Sequence, residues 1–161
     1  MSAISIVHSA PPEAGFNFTD LSQVALKIKA ASSAVRLWLL CLDKNYDSSR
    51  AQVTMGSVNR VISDAQEGSD AIHDLGSQVS FALMSAANMA DMVDMALWNA
   101  EAGEGDEPKL VDLKLVAELV LTMLDDALEP VVGSASALAG ATVSAADLHK
   151  EAGHPSTAPT H

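Results

Sequence analysis

From Met55 to Leu97 the chain sets residues at alternating intervals of three and four without a slip: Met55, Val58, Ile62, Ala65, Ser69, Ile72, Gly76, Val79, Leu83, Ala86, Ala90, Val93 and Leu97. Eleven of these thirteen positions are apolar. A seam of that period can be buried only by a helix that lays one side along its neighbours, because strands bury alternate residues and loops keep no period. The same spacing runs through Leu21, Val24, Ile28, Ala31, Val35, Trp38 and Leu42. It runs again through Leu113, Ala117, Val120, Leu124, Ala127, Val131, Ser134, Leu138, Ala141, Ala145 and Leu148. The fold class this predicts is all-α.

Helix ends are marked less evenly. Asn17 is a capping residue with Asp20 three positions on and Phe16 placed to staple onto Leu21, so a helix is predicted from about Thr19 to Leu42. Asp43 to Ser49 breaks it and supplies the next cap, and Gly103 to Pro108 is a turn. Between those breaks, Gly68-Ser69 reads locally as an end and a restart, yet the seam keeps its phase across it. The phase favours one helix from about Ser49 to Ala100, roughly 75–80 Å long. The expected architecture is therefore an elongated antiparallel helical bundle of three long helices. The alternative is a compact four-helix bundle with a break at Gly68. Pro130 is expected to kink the last helix rather than end it. The small uncharged residues from Pro130 to Ala146 would permit close approach between helices. Residues 1–15 are expected to form a flexible segment, 16–152 the single bundle domain and 153–161 a disordered tail.

Composition narrows the function classes. A chain of 161 residues can bury a core. It has one cysteine, Cys41, within the apolar run Val35 to Leu42, where a buried structural thiol is expected in place of a disulfide or metal pair. The N-terminal residues lack the basic and long apolar regions of a signal peptide, and no stretch is apolar enough to span a membrane, which predicts a cytoplasmic protein without membrane contact. Charge is divided along the chain: +2 up to Arg60 and −14 from Val61 onward. Such a field repels nucleic acid, so direct binding to it is not expected, whereas a protein partner with a basic or apolar surface is.

The segment Phe81 to Trp98 holds four of the seven methionines and two of the six aromatics. Leu83, Ala86, Ala90, Val93 and Leu97 take the seam. Phe81, Met84, Met92, Met95 and Trp98 then fall off it, around the opposite side, so the helix is apolar on two faces and both need covering. Methionine is an adaptable filler of irregular contacts. These five residues are the candidate partner-binding site, with a second copy of the chain or the returning helix as the expected cover and a different protein partner as the alternative; the expected assembly is a homodimer.

Chemistry-bearing motifs are sparse. The sequence HDLGSQ from His73 resembles the phospho-acceptor box of histidine kinase dimerisation helices in its HDL core and its place on a helical hairpin. That resemblance implies phosphoryl transfer through His73, with Asp74 as proton acceptor; the usual proline and a Gly-rich nucleotide-binding segment are missing. Asp64, Glu67, Asp70 and Asp74 recur at helical intervals and could mimic phosphates, as an acidic decoy of a nucleic-acid-binding protein would. Asp91 with Asp94, and Asp125 and Asp126 with Glu129, read as solvated helix faces. No HExxH, P-loop, GxSxG or GxGxxG occurs. No catalytic residue, metal ligand or cofactor is assigned. The expected function is a non-catalytic helical interaction protein, an adaptor or regulator.

Overall fold

The computed structural model describes residues 16–44, 46–75 and 77–152. The flexible N-terminal segment and the C-terminal tail expected from sequence lie outside them. Helix α1 spans Phe18–Lys44. It opens on reciprocal capping: Oδ1 of Asn17 accepts from the amides of Thr19 and Asp20 at 2.8 and 3.1 Å, and Oδ2 of Asp20 accepts from the Asn17 amide at 3.1 Å. Phe16, just before the cap, packs against the core. Helix α2, Ser48–Gly68, is capped by Asp47, whose carboxylate accepts from the amides of Ser49 and Arg50.

Past Gly68 the long helix expected from sequence does not continue. Residues Ser69–Leu75 form 3-10 turns with a kink at Ile72, where φ is −126° and ψ 26°. The Ser69 hydroxyl donates to the Gln66 carbonyl at 2.6 Å, closing the end of α2 on itself. Helix α3 then runs back over Ser77–Glu101. Asn59 Nδ2 donates to Asp91, and Ser49 Oγ to Glu101, so ten residues toward the start of α2 match ten residues toward the end of α3. The two helices are antiparallel. The chain thus adopts the four-helix alternative rather than three long helices.

Helix α3 ends at a turn set by Gly103, the one described residue with positive φ, at 72°. Its amide donates to the Ala100 carbonyl and that of Glu104 to the Asn99 carbonyl, the paired bonds that close a helix around a left-handed glycine. Helix α4, Leu110–Ala152, passes through Pro130 without stopping. Helices α1, α2, α3 and α4 pack in a closed ring, each against the helix before and after it, so α1 lies diagonally across from α3. Short connections between successive helices make the bundle up-and-down. At one end, the Tyr46 hydroxyl donates to the Pro108 carbonyl at 2.7 Å and ties the α1–α2 and α3–α4 connections together.

The core is the sum of the seams. Leu21, Ile28, Ile62, Ile72, Leu83, Leu97, Leu124 and Val131 are enclosed, and each large aliphatic side chain so buried stabilises by about 1.5–3 kcal/mol. Trp38 spans from α1 to α2, its indole N–H donating to the Ala51 carbonyl at 3.1 Å. On α4 the seam weakens after Val131: Ser134 and Leu138 are half-buried and Ala141 is exposed, while Ala145 and Leu148 lie outside the residues whose side chains are described. The glycines there do not mediate close helix contact, since a Cβ on Gly133 or Gly140 would meet nothing within 4 Å, whereas Ala135 still packs against the core.

The two helix-end glycines should respond oppositely to alanine. Gly103→Ala forces an L-residue into left-handed backbone and is expected to cost about 1 kcal/mol. At Gly68, which does not have positive φ, a Cβ meets only the flexible Lys27 side chain, at 2.8 Å. Gly68→Ala should leave stability unchanged or raise it by up to about 1 kcal/mol. Urea unfolding of both variants measures this.

Candidate functional site

Helix α3 presents two apolar faces, as its sequence requires. Inward, Leu83, Ala86, Ala90 and Leu97 are wholly buried. Outward, Phe81, Met84, Met92, Met95 and Trp98 are 65, 42, 70, 63 and 57% exposed. The five predicted residues therefore share one helix face, and none of them belongs to the core. The first helix does not cover them, since α1 sits at the opposite corner.

The face continues sideways at both ends. Toward α4, Met92 joins Met89, Ala96, Pro108, Leu113 and Val116 in an apolar groove of about 240 Å³. Toward the 3-10 turns, Phe81 and Met84 line a shallow depression with Ser69, Asp70, His73 and Ser77. His73 is exposed, but it sits in the α2–α3 connection and not along a helix, with Nδ1 3.2 Å from the Asp70 carbonyl. The kinase-like box thus falls in the turn of the α2–α3 hairpin and not on an α-helix, and the side chain of Asp74 lies outside the described residues. The same break divides the acidic row: Asp64 and Glu67 are exposed on α2, and Asp70 is exposed beyond its end.

Along the edge nearest α2 the apolar face meets charge. Asn59 donates to Asp91 at 2.6 Å, while Oδ1 of Asp94, one turn further, is enclosed without a hydrogen-bond partner. Burial lifts the Asp94 carboxyl above its ordinary range, and the charge on Asp91 adds to the effect. Among the described residues no three or more His, Cys, Asp or Glu side chains gather to hold a metal ion, and no helix is long and apolar enough to cross a membrane.

Two features differ from the sequence expectations. Cys41 is exposed, not buried: Val35, Trp38 and Leu42 take the inward positions and turn Leu37, Leu40 and Cys41 out. The outer face of α1 is a second exposed apolar surface. Leu26, Leu37 and Leu40 are 66, 63 and 57% exposed there, with Lys29 and Arg36 exposed among them. The signal for it is a second apolar stripe beside the seam, of the same kind that marks α3. No protein-family model, curated protein or solved structure matches the chain.

The Asp94 carboxyl yields a signed prediction. A group whose folded pKa is raised opposes folding once ionised, so its favourable contribution is present below about pH 4 and is lost as pH rises through the folded value. Asp94→Asn should therefore stabilise the fold at neutral pH, and the gain should vanish below about pH 4. Denaturant titrations of both proteins at the two pH values provide the comparison.

Proposed function

We propose that the protein is a non-catalytic helical interaction protein, an adaptor or regulator that works through protein–protein contacts, self-association among them. One observation carries this reading: a helix whose inner seam already fills the core keeps five large apolar side chains on its outer face, 42 to 70% exposed. These side chains contribute little to folding where they stand. Contiguous apolar surface of this kind marks contact sites, and thioether side chains adapt to a partner's shape at small conformational cost. An extended exposed apolar face with a groove along one edge suits a helix or sheet surface better than a small molecule. Helical anchors at intervals of three and four are the usual means of such docking.

Photo-cross-linking tests the reading. A photoreactive residue in place of Met95, in the source cell, should give protein adducts that the same residue at exposed Asp64 does not. Changing Met84 and Met92 to glutamine in that background should remove the adducts and leave helicity intact, since glutamine is a comparable helix former. Absence of adducts at Met95, or adducts at Asp64 in its place, would overturn the proposal.

A further inference from the structure

The charges around the α3 face indicate what covers it. Helix α3 contains no Lys, Arg or His, while Asp91, Asp94 and Glu101 lie on it. Across the bundle, α1 is the reverse: from Leu21 to Leu42 it carries Lys27, Lys29 and Arg36 and no acidic residue, and all three basic residues are exposed. Both helices bear an exposed apolar stripe. Leu26 to Leu40 spans roughly 21 Å and Phe81 to Trp98 roughly 26 Å at the helical rise. The two stripes match in length and carry opposite charge.

We infer that the outer face of α1 in one copy docks on the outer face of α3 in another, with Leu26, Leu37 and Leu40 set against the methionines and Lys29 and Arg36 against the carboxylates that bound them. The inference rests on the reading of α3 as a protein-binding face and names its occupant. A symmetric pairing of α3 with α3 would bring Asp91 and Asp94 toward their own copies, a like-charge approach that disfavours it. A contact between two different patches is heterologous. Because α1 and α3 occupy diagonal corners, a docked pair still offers one unused face of each kind, α3 on one copy and α1 on the other. Association then continues into rings or filaments and does not end at the homodimer.

The test uses the full chain with reductant present, since exposed Cys41 would otherwise cross-link. The weight-average mass by sedimentation should climb past that of two chains as concentration rises, and fall back at high ionic strength. Two variants break one face each: Leu37→Gln with Leu40→Gln, and Met92→Gln with Met95→Gln. All four residues are exposed on helices, so circular dichroism should be unchanged. Each variant alone should weaken association at least tenfold. An equimolar mixture should restore it and stop at two chains, one intact face of each kind being left. If the α1 variant still dimerises by itself, the contact is α3 on α3: the inference falls and the reading of α3 as a binding face survives. A wild-type chain that stays monomeric throughout also overturns the inference, and the Met95 cross-link then judges the reading separately. Association of the α3 variant at wild-type strength overturns it as well.

Discussion

Everything in this fold depends on four narrow seams meeting in one core. Each helix gives one face to the bundle, and the inward positions are filled mostly by aliphatic side chains and alanine. Most of the stability of such helices comes from the packed face and not from intrinsic propensity. The polar ties between elements are few by comparison: Trp38 to Ala51, Tyr46 to Pro108, Asn59 to Asp91 and Ser49 to Glu101, with the caps at Asn17, Asp47 and Gly103. Such bonds contribute about 1 kcal/mol each. They align helix ends, while buried Leu, Ile and Val supply the driving force.

A seam alone does not say where a helix turns. Every described position of the series from Met55 to Leu97 is buried, including Ser69 and Ile72 in the turn itself. The series carries on across the eight-residue connection, because Ser69 and Ile72 are buried within it and Val79 begins the buried face of α3. A straight helix and a turn that buries such residues leave the same trace in the spacing. The information that distinguished them was local: glycine followed by serine, whose hydroxyl can close on the preceding turn. Elsewhere local chemistry and period agreed, and the caps at Asn17 and Asp47 and the turn at Gly103 were legible.

The candidate site was legible for a different reason. Phe81, Met84, Met92, Met95 and Trp98 could be assigned to an outer face because the inner face was already full. The matching face of α1 satisfied the same criterion but was hidden by the strength of its own seam, which drew Cys41 into the expected core along with its apolar neighbours. Reading one stripe per helix finds cores. Reading the residue of each helix after its seam is removed finds surfaces, and on α1 that residue is Leu26, Leu37 and Leu40 among basic side chains.

The division of charge between the two faces bears on association far more than on folding. Helices pack 8–10 Å apart, so the outer faces of diagonal helices in a four-helix bundle stand roughly 20 Å from each other. Charges at that separation in water are screened within about 8 Å at physiological ionic strength. The basic face of α1 and the acidic face of α3 in one molecule therefore scarcely attract each other, and rearranging those charges would leave the monomer's stability nearly as it is. Their complementarity acts only when an α3 face comes within contact distance of a basic surface from another molecule. In the proposed contact, apolar burial sets the lifetime, while charge selects the orientation and disfavours the α3-on-α3 approach that apolar contact alone would allow.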